Sequence, residues 1–508
     1  MTTFRTIHTH DVINAGSSAQ SKGGLKHALT VLTTAALVCS LPYLIPSLHP
    51  YQPWTLADPL PFIGFFQATS TGPQVAEASG GVSSHAALSH AERTLLNFVP
   101  EKAQAPKSTP PHDLGATPIV IPPAEIADVK VKIEDPSHAM RAFYRALSRT
   151  GQSEKGAITR ISHWGDSAIA PDKITAVARI LLQKRFGDAG HGFILAAPAT
   201  RWYHYAGINH KYGNWKLRRI THGGAKDGRY GYGGVRAIGS SKSFTRLAIS
   251  PGRTIGNRVS RYEIYYLKGP HQGSLSFRVD GKRKPGISAK APSWRDAVHT
   301  IRVPDGNHRL SLQVSGSVSV YGVVLERDVP GVVYDNLGLI GHSAKRLLKA
   351  QETHFRSQLA FRKPDLMVLS MGGNTLVRKY WKPERYRAVF TQSVKRFRDA
   401  RKSASCLVLP PLDHGERVGG TVRTVPRLLE MKTIQREVAL KQGCAFYDIF
   451  AAMGGKGTMG RWATTRPRLV LHDYAHVTRH GARILGALIY KALLHGFATH
   501  LASTNQPP

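Results

Sequence analysis

Over residues 334–500, strand-like apolar runs alternate with helical runs, and this alternation constrains the fold more than any other feature of the chain. The order is SAKRLLKAQETHFRSQLAF, DLMVLSMGG, RYRAVFTQSVKRFRDAR, CLVLPPL, VPRLLEMKTIQREVALKQG, CAFYDIF and RHGARILGALIYKALL. Strands separated by helices pair in parallel, because each crossover returns the chain to the same edge before the next strand begins. Helices then cover both faces of the sheet, so the strand runs are apolar throughout. The same texture occupies 136–197, with helix SHAMRAFYRALSRT, strand AITRISHWGDS and helix DKITAVARILLQKRF. In that last helix Ile174, Val177, Ile180 and Leu181 share one face.

The texture changes at 198–333. SFTRLAIS, RYEIYYLKG, GSLSFRVDG, AVHTIRVPDG, HRLSLQVSG and SVYGVVLER are short alternating runs separated by Gly, Pro, Asp and Asn. That pattern predicts an antiparallel β-sandwich. The chain thus reads as an α/β domain with a parallel sheet, in two parts (136–197 and 334–500) with a β-sandwich inserted between them.

The N-terminal third is organised differently. Residues 1–26 are polar and carry Arg5, Lys22 and Lys26. An apolar run fills 27–48, near the length needed to cross a bilayer. Positive charge before it predicts a cytoplasmic leader, with the remainder outside the cytoplasm. The long leader and the lack of a small-x-small cleavage site favour an uncleaved anchor over a cleaved signal peptide. Cys39 raises a lipoprotein reading, but Leu37 and Val38 suit that poorly. Residues 49–135 are rich in Pro, Ala and Ser and read as a largely disordered linker.

Formal net charge is +37, from 69 Lys+Arg against 32 Asp+Glu. This excess favours anionic partners. No nucleic-acid-binding motif accompanies it, so no nucleic-acid partner is expected. The three cysteines are too few for a disulfide scaffold, and no CxxC pair is present. Cys406 and Cys444 begin consecutive strands that should lie side by side. A disulfide or a close buried pair is expected, with the buried pair slightly preferred, since parallel neighbours often miss the bond geometry.

Three segments carry chemistry, each at the C-terminal end of a strand or before a helix, where α/β sheets place their sites. In HWGDSAIA, Ser167 lies at a strand-to-helix turn whose N–H groups favour developing negative charge. In LSMGGNT, Asn374 offers an amide donor after a Gly-Gly turn. In HDYAHVTRHG, Asp473 and His476 are three apart, a spacing that can bring the carboxylate under the imidazole. Taken singly, each segment could be a turn or a helix cap, and with 24 His in the chain an Asp near one is unremarkable chance.

Together they resemble the SGNH (GDSL-like) hydrolase family. Gly165-Asp166-Ser167 matches the block holding the family's nucleophile, YDNLGLIGHSA supplies Gly341, Gly372-Gly373-Asn374-Thr375 stands for Gly-x-Asn-Asp, and Asp473-x-x-His476 matches the last block. Thr375 and Ala168 depart from the usual Asp and Leu. The resemblance implies a three-layer, flavodoxin-like fold and acyl transfer. Ser167 would attack an ester carbonyl, with His476 as base, Asp473 orienting it, and Ser167, Gly341 and Asn374 forming the oxyanion hole. Gly338 is the second candidate for the glycine. No metal or cofactor is required.

The inserted sandwich resembles the layout of envelope esterases that deacetylate peptidoglycan. The stretch RWYHYAGINHKYGNWKLRR interleaves aromatic and basic residues. Trp202 and Trp215 are its candidate sugar-stacking residues, and packing at the domain join is the alternative. The expectation is an envelope esterase acting on an acylated glycan, or on small esters as a lipase-type acylhydrolase. A non-catalytic glycan-binding protein is the rival class.

Overall fold

The computed structural model describes residues 87–98, 119–378 and 380–504. The leader, the apolar segment at 27–48 and most of 49–135 lie outside these residues. Helices α1 (His90–Asn97), α2 (Pro123–Ile126) and α3 (Arg141–Gly151) come first, followed by β1 (Ile158–Gly165) and α4 (Ile174–Phe186). Then come β2 (Gly190–Leu195), β3 (Ile208–Gly213), β4 (Lys216–Arg219), β5 (Val235–Gly239), β6 (Phe244–Ile249) and β7 (Val259–Lys268). β8 (Ser274–Val279), β9 (Lys282–Ser288), β10 (Arg295–Gly306), β11 (Arg309–Ser315) and β12 (Val318–Glu326) complete the antiparallel part. β13 (Gly331–Gly338), α5 (Ala344–Leu347), α6 (Glu352–Arg362), β14 (Leu366–Ser370), α7 (Gly373–Leu376), α8 (Pro383–Ala400) and β15 (Ser405–Leu409) return the chain to α/β. A hairpin, β16 (Gly415–Val418) and β17 (Thr421–Thr424), precedes α9 (Arg427–Lys441), β18 (Ala445–Phe446), α10 (Ile449–Ala452), α11 (Thr458–Ala463) and α12 (Arg479–Thr504).

The parallel sheet runs β13-β1-β14-β15-β18. Numbered among themselves these strands give 2-1-3-4-5, the flavodoxin-like order, whose switch point lies between β1 and β14. Side chains alternate across the sheet. Leu366 and Val368 enter a core shared with α3, α4 and α12. Met367 and Leu369 enter the opposite core, with α6, α8 and α9. α12 is long and apolar enough to cross a membrane by length and composition, but 61% of its most apolar stretch is buried within the fold.

Two antiparallel sheets lie within 190–326, and Leu247, Leu275 and Leu312 of one share a core with Ile264, Val320 and Val323 of the other. This part begins earlier than expected. Segment 190–195, assigned above to the α/β domain, pairs antiparallel with β12. The change of texture in the sequence comes after this run, and only its tertiary partner assigns it to the antiparallel part. The ends of the excursion meet where Val332 N–H donates to Gly187 O (2.9 Å).

A buried ionic knot joins the layers. Arg362 grips Asp335 with two bonds of 2.8 Å and reaches Glu326 at 2.5 Å, while Arg160 forks onto Glu326 at 3.0 and 2.9 Å. Arg261 also binds Glu326.

Two further expectations are corrected. The end of the 49–135 linker is folded onto the domain. Ser89 forms a capping box with Glu92, and that carboxylate accepts from Trp462 Nε1 at 2.6 Å. Glu125 accepts from Tyr490 Oη at 2.6 Å, and Lys491 Nζ donates to Asp128 at 2.6 Å. Composition hid these short helices because their anchors are acidic groups with partners far along the chain. Cys406 and Cys444 form a disulfide, with Cα atoms 4.7 Å apart, instead of the preferred buried pair. Cys444 precedes the two-residue strand β18, so the parallel ladder does not fix its side chain.

Candidate active site

β1 ends at Gly165, and the chain turns at once: Ile169 and Ala170 N–H both donate to Asp166 O (3.2 and 3.0 Å). Ser167 sits at this turn, half-buried. The Asp166 carboxylate accepts from Ala168 N–H at 3.1 Å, Gly372 N–H at 3.2 Å and Gly373 N–H at 3.1 Å. One carboxylate therefore ties the loop after β1 to the loop after β14, across the switch point. Gly372 has φ +154, and a Cβ there would strike Pro411, so the position needs glycine.

The third segment closes on the same point. Residues 469–478 form a clasp, with Thr478 N–H donating to Leu469 O (2.9 Å) and Leu471 N–H to His476 O (2.7 Å). At its tip, His476 Nδ1 lies 2.6 Å from Asp473 Oδ2, and His476 Nε2 lies 2.7 Å from Ser167 Oγ. A carboxylate only accepts, so Nδ1 carries the proton and Nε2 is left to accept from the serine hydroxyl. Asp473 also accepts from the N–H groups of Ala475 (3.1 Å) and His476 (3.0 Å). Burial raises its pKa, but the bonds from His476 and these N–H groups outweigh burial and hold the carboxyl below its usual range.

Gly341 follows β13, exposed at φ +79, with open space where a Cβ would stand. Asn374 Nδ2 donates to the carbonyl of the next residue, His342, at 3.0 Å. Thus Asp166 links the Ser167 turn to Gly373, and Asn374 links that loop to His342, the residue after Gly341. Gly338 N–H is already bonded to Asn336 Oδ1 at 2.9 Å, and Asn336 Nδ2 donates to Ile169 O at 3.0 Å. Gly338 therefore has no free donor, whereas Asn336 braces the Ser167 turn. Sequence reading missed the bracing roles of Asp166 and Asn336. Both lie within the quoted blocks, but only the fold supplies the partners that make them braces.

The two tryptophans part company. Trp202 is 61% exposed and stacks with Arg201, whose guanidinium lies 4.7 Å from its ring centre. Trp215 is half-buried: it lies against Gly239, and its Nε1 donates to Phe244 O at 2.8 Å. Tyr205, Tyr230 and Tyr232 are buried, and Tyr232 Oη donates to Ser162 Oγ at 2.6 Å. Within 201–219, Tyr205 is the buried aromatic residue, Tyr203 and Trp215 are half-buried, and Trp202 and Tyr212 are exposed.

Residues 309–484 match the GDSL-like lipase/acylhydrolase family. That span contains Gly341, Asn374, Asp473 and His476 but not Ser167, whose placement rests on the geometry above. A solved structure described as a peptidoglycan O-acetylesterase superimposes with a TM-score of 0.62 at 22% identity, over 72% of this chain and 99% of that one. A lipase/acylhydrolase from Enterococcus faecalis covers 33% of the chain and 77% of its own at 18% identity, TM-score 0.25. An acetylxylan esterase from Geobacillus stearothermophilus covers 32% and 73% at 17% identity, TM-score 0.25. No curated protein matches the chain.

Proposed function

We propose that this chain, whose hydrolase domain belongs to the SGNH/GDSL family of serine ester hydrolases, removes O-acetyl groups from a glycan of the cell envelope. His476 Nε2 takes the proton as Ser167 Oγ attacks the acetyl carbonyl, and Asp473 stabilises the imidazolium. The N–H groups of Ser167 and Gly341 and the Asn374 amide receive the oxyanion. His476 then returns its proton to the departing sugar hydroxyl. In the second step it activates water to release acetate.

The unbroken run of hydrogen bonds from Asp473 through His476 to Ser167 carries the esterase reading. The glycan reading is supported by the antiparallel domain between the halves of the hydrolase and by the peptidoglycan O-acetylesterase that shares this layout. An anchor at 27–48 would hold the enzyme at the membrane with its catalytic domain outside the cytoplasm, and the Cys406–Cys444 disulfide suits such an oxidising compartment.

The test compares p-nitrophenyl esters of increasing chain length with acetate release from O-acetylated peptidoglycan. Acetyl esters and the polymer should be the better substrates. Preference for long acyl chains, with no acetate released from the polymer, points to a lipase instead.

A further inference from the structure

The rim beside His476 holds an arrangement that acyl transfer does not use. Tyr474, at φ +53 between Asp473 and His476, is reached by the hairpin β16–β17: Gly415 N–H donates to Tyr474 O (2.8 Å), and Arg417 Nη2 donates to Tyr474 Oη (2.7 Å). Arg468, just before the clasp, also interacts with this phenol and is itself held, Nε donating to Val470 O (3.0 Å) and Nη1 to His472 Nδ1 (3.1 Å). Hydrogen bonding from Arg417, then its charge and that of Arg468, keep the Tyr474 phenol below its usual pKa.

The hairpin is pinned at its base. Buried Asp413 accepts from Thr424 Oγ1 (2.7 Å) and Met459 N–H (2.8 Å), and Thr424 Oγ1 accepts from Gly457 N–H (2.7 Å). Beyond that base its strands stand in solvent, with Arg417 exposed. Among the described residues neither Arg417 nor Arg468 has a carboxylate within ion-pair distance. The nearby Asp473 is committed to His476 and two N–H groups. Two guanidinium groups converging on one exposed oxygen repel each other, and an anion between them removes that cost.

We propose that Arg417 and Arg468, gathered on Tyr474, form a subsite for an acidic group of the acylated substrate, a carboxylate or a phosphate. This rests on the esterase reading and adds a requirement for negative charge close to the ester. Tyr474 and His476 are two residues apart, so their Cα atoms lie within ~7 Å of each other and the cluster stands on the same clasp as the catalytic histidine. Guanidinium forks match the two oxygens of such groups.

The experiment measures kcat/KM of the full chain on phenyl acetate, 4-acetoxybenzoate and 4-acetoxyphenyl phosphate. Reading each acidic ester as a ratio to the neutral one, and each variant against wild type, cancels intrinsic reactivity. The double variant Arg417→Gln, Arg468→Gln should lower the acidic-to-neutral ratio about tenfold, chiefly through KM. Salt should erode the wild-type ratio. Whichever acidic ester shows the larger loss identifies the group. If the double variant does not fold, Arg417→Gln alone, on the exposed hairpin, should still lower the ratio. An unchanged ratio overturns the subsite, and so does an equal fall on all three esters carried by kcat, which would make the cluster a brace for the clasp. If wild type hydrolyses none of the esters, the esterase reading fails and the subsite with it.

Discussion

His476 is useful to Ser167 only in one tautomer, and Asp473 enforces it by accepting at Nδ1. Ser167→Ala and His476→Ala should therefore each abolish ester hydrolysis with the thermal transition retained. Asn374→Ala should lower kcat by about 100-fold or more, since an oxyanion donor is worth ~2.7–4 kcal/mol in the transition state. Its bond to His342 O adds to the loss, because Gly341 is then less firmly placed. Asp166→Ala tests the brace: three N–H groups lose their acceptor, at a cost of ~1–3 kcal/mol for each that stays buried. Steady-state kinetics should show kcat falling more than KM rises. Wild-type kcat in Asp166→Ala would refute the bracing role.

At the scale of elements, α1 is a short helix whose existence depends on a distant partner. Its Glu92 carboxyl is pushed up by burial, but bonds from Trp462 and Ser89 prevail and hold it below the usual range. Removing the helix strips the Trp462 indole of its acceptor and uncovers the surface under Leu88 and Leu95. A chain beginning at 119 should melt at lower temperature than one beginning at 87. Glu92→Ala in the longer chain should cost about 1–3 kcal/mol by urea denaturation. Equal stability of the two chains would mean that α1 contributes nothing.

Two features set the response of the whole molecule. Burial pushes His163 down to about 3, and burial likewise pushes His191, His210 and His342 down to about 4. Folded, these imidazoles stay neutral, whereas the unfolded chain protonates them below about 6.5. The unfolded state thus binds more protons, so stability is intact above about pH 6.5 and is lost as pH falls toward 4. Each contributes ~1.4 kcal/mol per pH unit within that window. The urea midpoint should drop steadily between pH 6.5 and 5, and a flat midpoint would contradict this. The second feature is the ionic knot joining the parallel sheet to β7, β12 and α6. Arg362→Ala leaves Asp335 and Glu326 short of a partner in the interior and should cost ~3–5 kcal/mol, read from the same unfolding curves.

The local pattern of the chain determined the α/β class, the presence of an antiparallel excursion, and the segments around Ser167, Asn374 and Asp473–His476. These are properties of neighbours: apolar runs of strand length, helical periodicity, and turns where glycine precedes a polar residue. Other features depend on residues far apart in sequence, and only the tertiary structure decided them. Residues 190–195 read as part of the α/β domain until β12 became their partner, and Trp215, a candidate for sugar stacking, stands half-buried against Gly239 with its indole N–H held by Phe244. Asp166 acquired a role only when the turn after β14 came within hydrogen-bond reach, and Glu92 only when Trp462 did. Hydrogen bonds and charge pairs are directional and short-ranged, so composition announces which groups are present, whereas the fold chooses which of them meet.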